Sequence, residues 1–348
     1  MDKAATILKN KQTDVKERID AGWAKECIEP IVEDELMTEL HILSQNEPVS
    51  DAQYCYACNQ ICPTWDVAPT PDAMVGIIAG TCCYDHSKFN QQRKQRADVV
   101  SDALLPWFAF ACVMAARQPN FIIEECVPES MVLVKGLSMF LGPHWDVQTM
   151  YLCPSMLGDP QTGLRRYTIY RNMASRVWNR AIPNPVGMFG ARVAMDLTIY
   201  FAADDAYLTQ KLEAYCVAKG FHSADTTFMW KDTLPFAHYK RLMNFIERDV
   251  PKLESQPIAF NCDQGSLYGC VMGPLSKRLL RRTVSYHFGL NRPQLPYEAM
   301  LQMGMPAYDE PWFSFLKDAR DDVVRAVAGN AMHPRMFAAV FISTLASS

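Results

Sequence analysis

The chain has 348 residues, 49% of them apolar and 21% charged, which is the profile of a globular protein with one large domain and a smaller one. Its formal net charge of −4 gives no global indication of nucleic-acid binding, and the absence of a long apolar run predicts no membrane span. The charged N-terminus, MDKAATILKNKQTDVKERID, lacks the apolar core of a secretion signal. The 12 cysteines are therefore expected to be reduced, in a nuclear or cytoplasmic protein.

Strands and helices are predicted to alternate through the first half of the chain. Apolar runs predict strands at 39–48, 62–67, 74–80, 121–127 and 165–171, a polar loop followed by a long amphipathic helix within 90–120, and another helix at 131–142. This alternation predicts an α/β protein with a doubly wound, mainly parallel, Rossmann-like sheet.

Polar residues end four of these strands or directly follow them: Glu47, Asp66, Cys83 and Glu125. Ligands of doubly wound folds bind outside the carboxyl ends of the strands, where these side chains would meet. A thiolate adds to electron-poor rings, a carboxylic acid can protonate a ring nitrogen, and an arginine polarises a carbonyl oxygen. Together with an arginine, such an edge favours covalent chemistry on a heteroaromatic ring.

Two stretches without acidic residues carry clusters of basic and aromatic side chains. The first stretch, 161–195, contains six arginines: Arg165, Arg166, Arg171, Arg176, Arg180 and Arg192. The second stretch, 264–297, contains Lys277, Arg278, Arg281, Arg282 and Arg292. This mixture suits a phosphate backbone with bases nearby, whereas the alternative is a solvated face or salt bridges to acids elsewhere.

Five stretches, in this order, resemble the motifs of the cytosine-5 DNA methyltransferase family. AGTCCYDHSKFN (79–90) is similar to the family's nucleophile loop, with Cys83 as the nucleophile and Gly80 and Ser87 in register. EECVPE (124–129) resembles the Glu-Asn-Val motif through Glu125, and PQTGLRRYTIY (160–170) the Gln-x-Arg-x-Arg motif through Gln161 and Arg165. RPQLPYEAMLQMGMP (292–306) and GNAMHP (329–334) resemble the last two motifs.

The resemblance implies a catalytic domain that uses S-adenosylmethionine, at 1–172 plus 307–348, and a smaller target-recognition domain at 173–306. It implies that Cys83 attacks C6 of a cytosine flipped out of DNA, while Glu125 engages N3 and the exocyclic amine and Arg165 contacts O2. C5 then accepts the methyl group. The implied cofactor-binding residues are Glu47, Asp66, Gly80 and Asn330, and the implied substrate-binding residues are Ser87, Gln161 and Arg166.

One departure concerns the family's glycine-rich cofactor loop, Phe-x-Gly-x-Gly, which should precede Glu47. The corresponding stretch, KERIDAGWAKECIEPIVEDELM (16–37), contains Gly22 as its one glycine, although glycines let a backbone approach a cofactor closely. The lost glycine loop would be explained if the chain were a catalytically inactive DNA-binding relative or a fragment, which is one alternative that stays open. A tRNA cytosine-5 methyltransferase is the other, because that branch of the family has the same motifs.

Three cysteines, Cys55, Cys58 and Cys62, have a spacing that suggests zinc, but a fourth ligand at suitable spacing is missing. The resemblance implies that they lie on a helix after the strand that ends near Glu47. No metal site is predicted.

Overall fold

The computed structural model describes residues 2–46, 52–55, 60–63, 73–80, 104–175, 177–221, 228–253, 257–264, 271–277, 279, 283–306, 314, 316 and 319–348. Its helices and strands are α1 (Asp2–Asp20), α2 (Lys25–Asn46), β1 (Ala52–Cys55), β2 (Gln60–Pro63), β3 (Gly76–Gly80), α3 (Leu104–Arg117), β4 (Phe121–Cys126), α4 (Met131–Leu141), β5 (Trp145–Leu152), β6 (Arg165–Asn172), α5 (Pro185–Phe189), α6 (Asp205–Ala218), α7 (Phe236–Arg248), β7 (Ala259–Asn261), β8 (Val271–Met272), β9 (Ser285–His287), β10 (Arg292–Pro293), α8 (Pro296–Gln302), α9 (Asp321–Asn330) and α10 (Pro334–Leu345).

Residue contacts divide the chain into two compact units. Unit 1 comprises 1–152, 164–183 and 343–348, and unit 2 comprises 153–163 and 184–342. These bounds differ from the domains implied by the motifs, since 307–342 falls in unit 2. The catalytic and target-recognition roles of the two regions stay predictions.

The main sheet of unit 1 has the strand order β3-β4-β6-β5. The predicted α/β class is confirmed, and the strands predicted at 74–80, 121–127 and 165–171 are present as β3, β4 and β6. The sheet is mainly parallel, as predicted for a Rossmann-like fold: β3, β4 and β5 run in the same direction, and of these four strands β6 alone is antiparallel to its neighbours, β4 and β5. Strand β5, which the sequence does not predict, lies at the edge of the sheet and pairs with β6.

Helices cover one face of this sheet. Ile122 of β4 and Tyr170 of β6 belong to a buried core that also contains Trp107 of α3 and Leu133 of α4. Successive side chains of a strand point to opposite faces, so every second residue of β4 and β6 faces this core, while the residues between them are buried on the other face.

The N-terminal region is a helix pair. The predicted strand at 39–48 is wrong, because residues 25–46 form α2, whose Ile28, Val32, Leu36 and Leu40 are buried at helical spacing. Gly22, at φ +88°, ends α1 in the left-handed conformation that helix C-termini favour, with the Trp23 amide donating to the Arg18 carbonyl.

A short hairpin, β1–β2, follows the helix pair. It includes 62 and 63 of the strand predicted at 62–67, and its register pairs Cys55 with Gln60 and Gln53 with Cys62. Cys55 and Cys62 therefore lie on strands and not on the expected helix, whereas Cys58 lies outside the described residues.

Unit 2 contains a second sheet, with the order β10-β9-β7-β8 and antiparallel pairings throughout. Arg292 and Glu298, both buried, form a two-point ion pair with two N–O distances of 2.8 Å. Glu298 also accepts the backbone amides of Ala203 and Leu295. The RPQLPYEAMLQMGMP stretch thus stabilises unit 2 through its arginine and glutamate.

No helix among the described residues is both long and apolar enough to cross a bilayer.

Candidate functional site

Three of the predicted site residues lie on adjacent strands at one edge of the unit 1 sheet. Gly80, the last residue of β3, is the register partner of Glu125, which is the penultimate residue of β4. Arg165 begins the antiparallel strand β6, so it lies at the same edge. Its Nε is 2.5 Å from Oε1 of Glu125, with only 10% and 11% of the two side chains exposed.

Burial raises the pKa of the Glu125 carboxyl, although the nearby charges of Arg165 and Arg166 oppose that rise. Removal from water disfavours the charged form, and here this effect is larger than the attraction of the guanidinium groups. Glu125 consequently retains a proton to higher pH than an ordinary glutamate. A carboxylic acid in this state can donate a proton to a ring nitrogen.

A second glutamate–arginine pair occupies the opposite face of the same two strands. Nη2 of Arg166 donates to Oε2 of Glu124 at 3.1 Å, and both side chains are completely buried. The Tyr170 hydroxyl donates to the same carboxylate at 3.3 Å, and Nη1 of Arg166 donates to the Ser130 carbonyl.

Arg166 was implied as a substrate-binding residue, and its position argues against that role. Successive residues of a strand point to opposite faces, so Arg165 and Arg166 cannot serve the same site. Arg166 is 0% exposed and its bonds hold β6 to β4 and to the start of α4. We therefore assign it to the core.

Tyr167 is a candidate residue that sequence reasoning missed. It is the register partner of Glu125, it lies on the Arg165 face of β6, and it is 0% exposed. Its hydroxyl and Nη1 of Arg165 are buried without a hydrogen-bond partner among the described residues. The sequence signal that could have identified Tyr167 is its position two residues after Arg165, which places both side chains on the same face of a strand.

Cys83 and Ser87 lie outside the described residues. Gly80, which precedes Cys83 by three residues in the sequence, is paired with Glu125 at the strand end beside Arg165.

The other two described site residues belong to unit 2. Gln161 is buried, and its amide donates to Sδ of Met303 at 3.8 Å, which joins two of the motif stretches. Asn330 ends α9 and lines a cavity of about 990 Å³ together with Tyr215, Gln294 and Arg325. The predicted roles of both residues remain predictions.

The residues expected to precede a cofactor-binding strand do not fit S-adenosylmethionine. The stretch 16–37 is the end of α1, a turn and the first half of α2, and no strand leads into it. An added Cβ at Gly22 would meet nothing within 4 Å, so Gly22 forms no close cradle there. Glu47 and Asp66, the other predicted contacts, lie outside the described residues.

The arginines of the two basic stretches are largely engaged inside the protein. Four of them make buried or partly buried ion pairs, which supports the salt-bridge alternative for these four: Arg165, Arg166, Arg171 and Arg292. Arg180 and Arg192 are exposed and available for phosphate contacts. Arg176, Arg278, Arg281 and Arg282 fall in parts that the structure does not describe.

The described ranges contain no group of three or more His, Cys, Asp or Glu side chains that could hold a metal ion.

Comparison with known proteins found similar folds but no sequence match. No family model and no curated protein match the chain. Among solved structures, the Entamoeba histolytica methyltransferase EhMeth is 13% identical, with a TM-score of 0.45 over 78% of this chain and 76% of that one. The S. pombe Dnmt2 methyltransferase is 12% identical, with a TM-score of 0.41 over 78% and 77%.

A putative DNA modification methyltransferase encoded within an E. coli prophage is 17% identical, with a TM-score of 0.40 over 78% of each chain. All three are described as methyltransferases. At these identities the likeness concerns the fold alone, and a function for this chain has to be argued from its residues.

Proposed function

We propose that this chain binds a cytosine extruded from DNA and adds Cys83 to C6 of the ring, which is the covalent chemistry of cytosine-5 methylation. The observation that carries the proposal is the buried Glu125–Arg165 pair beside the end of β3. A proton donor and a guanidinium, 2.5 Å apart at a strand edge, match the N3 and O2 atoms that neighbour each other in cytosine.

The covalent step uses groups of this chain. The Cys83 thiolate forms a bond to C6, and the C5=C6 π electrons form a C4=C5 bond. The N3=C4 π electrons then take up the proton that Glu125 transfers to N3. Arg165 stabilises the negative charge that develops at O2. The adduct carries a nucleophilic C5, the atom that a methyl donor would alkylate.

A trapping experiment tests this proposal. DNA carrying pyrimidin-2-one in place of cytosine offers an electrophilic C6, because the ring lacks the electron-donating 4-amine. We expect a protein–DNA adduct that survives denaturing electrophoresis, that is absent in Cys83→Ala and that is strongly reduced in Glu125→Gln. Adduct formation by Cys83→Ala would overturn the assignment of the nucleophile.

The same probe placed in a tRNA distinguishes the two polynucleotide substrates. We propose DNA as the substrate, and a faster adduct with tRNA than with DNA would reject it in favour of the tRNA alternative.

A second candidate function is a DNA-binding relative that does not transfer methyl groups, and the helix pair α1–α2 favours it. Calorimetry with S-adenosylmethionine separates the candidates, with Glu47→Ala and Asp66→Ala as controls. Binding that weakens in both variants would support a methyltransferase with an unusual cofactor site. No binding, together with a retained Cys83 adduct, would support the inactive relative.

A further inference from the structure

Two groups of glutamate, arginine and tyrosine cross between β4 and β6, one on each face of the sheet. We call them the site triad (Glu125, Arg165, Tyr167) and the core triad (Glu124, Arg166, Tyr170). In both, the arginine lies two residues before the register partner of its glutamate, on the diagonal of the strand pair. The tyrosines differ, because Tyr167 is itself the register partner of Glu125, whereas Tyr170 lies two residues beyond the partner of Glu124.

The tyrosine of the core triad has a hydrogen-bond partner. The Tyr170 hydroxyl donates to Glu124 at 3.3 Å, and Arg166 donates to the same carboxylate oxygen at 3.1 Å. The carboxylate is thus held by a cation and a phenol together, and all three side chains are fully buried. These bonds hold the core triad together, although Nε of Arg166 is buried without a hydrogen-bond partner among the described residues.

The tyrosine of the site triad lacks such a partner. Arg165 contacts Glu125 through Nε, whereas Nη1 of Arg165 and the Tyr167 hydroxyl are buried and have no hydrogen-bond partner within the described part of the chain. Buried donors are normally satisfied, so donors left open beside a functional carboxylate indicate bonds made in another state of the site.

The two open donors belong to side chains that surround one carboxyl group. Glu125 and Tyr167 are direct register partners, which places their Cβ atoms about 4.5–5.5 Å apart. The charged and titratable groups that act on Glu125 are Arg165, Tyr167 and, from the other face, Arg166. Its register partner on β3 is Gly80, which has no side chain.

We propose that Tyr167 is a positioning residue for Glu125, whose carboxylate accepts a hydrogen bond from the Tyr167 hydroxyl once a base has drawn Arg165 away. This inference rests on the proposed function. When Glu125 gives its proton to N3 and Arg165 turns to O2, a buried carboxylate is left that needs a new donor. In the core triad a tyrosine of β6 donates to a glutamate of β4 from a diagonal position, and Tyr167 lies directly opposite Glu125 on the same two strands.

The phenol is suited to donate and not to ionise. Burial, together with the charge of Glu125, raises the pKa of Tyr167 far above its ordinary value. The hydroxyl therefore keeps its proton throughout the working pH range of a protein.

A titration without any ligand tests the inference. Replacing Arg165 by Met imitates a site in which the guanidinium has left Glu125, and the Glu125 carboxyl can be followed by NMR of 13C-labelled glutamate, with Glu125→Gln assigning its signal. In the Arg165→Met background, we expect Tyr167→Phe to raise the proton affinity of Glu125 about tenfold. With Arg165 present, we expect a much smaller change.

Tyr170→Phe is the matched control, because it removes the same hydroxyl from the opposite face. It should leave the Glu125 titration unchanged in both backgrounds. An unchanged titration in Arg165→Met/Tyr167→Phe, or an equal change from Tyr170→Phe, would overturn the inference. If Arg165→Met does not fold, as judged by circular dichroism, Arg165→Gln serves as the same background.

The pyrimidin-2-one adduct supplies the second readout. We expect Tyr167→Phe to slow adduct formation by Cys83 about tenfold, the loss of one hydrogen bond to a charged group, and Tyr170→Phe to leave the rate per folded molecule unchanged. A Tyr167→Phe rate equal to wild type would contradict the inference. A wild-type protein that forms no adduct would reject the proposed function, while the titration would still decide the role of Tyr167.

Discussion

Glu125 and Glu124 are neighbours in the chain, but they are held in different ways. Glu124 is fully buried and bonded to Arg166 and Tyr170, whereas Glu125 reaches the sheet edge with 11% of its side chain exposed. Burial raises the pKa of Glu125 even with Arg165 beside it. At the residue scale, exposure at the strand end separates a carboxyl that can react from one that stabilises the core.

The raised pKa of Glu125 predicts a pH dependence of stability. A carboxyl whose pKa is higher in the folded than in the unfolded chain stabilises the fold most below its unfolded value of about 4.3. That contribution is lost as the pH rises through the raised folded pKa. Glu125→Gln has no such titration, so its free energy of unfolding relative to wild type should improve between acidic and neutral pH.

Urea denaturation of wild type and Glu125→Gln at several pH values measures this difference. Titrations of all other groups cancel in the comparison. A relative stability of the variant that falls with rising pH would mean that Arg165 dominates and that Glu125 is ionised in the folded protein.

The two tyrosines predict opposite results for the same substitution. Tyr170→Phe removes a buried hydrogen bond to a carboxylate and should lower the free energy of unfolding by about 1.5–3 kcal/mol. Tyr167→Phe removes a buried hydroxyl with no partner among the described residues, so it should change stability by less than about 0.5 kcal/mol or increase it. Equal losses in urea denaturation would show that Tyr167 has a structural hydrogen bond.

At the scale of elements, the strands of the site could be predicted and the N-terminal helices could not. The runs FIIEEC and GIIAG are apolar, short and bounded by turn residues, so β4 and β3 were recognised almost to their limits. The stretch 39–48 resembles a short strand because its apolar residues are followed by polar residues and Pro48. The helical spacing of Val32, Leu36 and Leu40 was the signal that identifies α2.

Strand β5 and the register of β4 on β6 required the structure. The residues of WDVQTMYL are mostly half-buried, so their pattern is not the plain alternation of a strand with one solvated face. The sequence predicted Glu125 and Arg165 as partners only through the motif resemblance. It could not separate Arg165 from Arg166, because that depends on which face of β6 each occupies.

The helix pair is predicted to be an integral part of the unit 1 core. Leu8 of α1 is 1% exposed and packs in the same cluster as Leu36 and Leu40 of α2, so Leu8→Ala should cost about 2–5 kcal/mol. Lys11 forms ion pairs with Glu35 and Glu39, whose side chains are 38% and 47% exposed, so Lys11→Ala should cost less than about 1 kcal/mol. Chemical denaturation measures both, and a small cost for Leu8→Ala would remove α1 from the core.

For the whole molecule, the distribution of charge limits how the chain can bind a polynucleotide. The net charge is −4, and four arginines of the two basic stretches are committed to internal ion pairs. Among the arginines of these stretches that the structure describes, Arg180 and Arg192 are exposed and available for phosphate contacts. Affinity for a duplex should therefore depend less on these stretches than their composition indicates.

Salt titration of DNA binding tests this distribution. Replacing both Arg180 and Arg192 by Ala should reduce the slope of log K against log salt concentration by about 2, since each phosphate contact contributes about 0.9. Arg320→Ala is a suitable control, because this side chain is 81% exposed but lies outside both stretches. A slope that is unchanged in the double variant would place the phosphate contacts on other residues.

The paired register of β4 and β6 also affects how such a sequence can be aligned with others. Glu124 and Glu125 are consecutive acids, and Arg165 and Arg166 are consecutive arginines, so an alignment shifted by one residue in either strand still matches an acid to an acid or an arginine to an arginine. The score of that alignment would barely change, while the reactive pair and the core pair would exchange places. A one-residue insertion or deletion between β4 and β6 could thus pass unnoticed in a sequence comparison and still move Arg165 to the wrong side of the sheet.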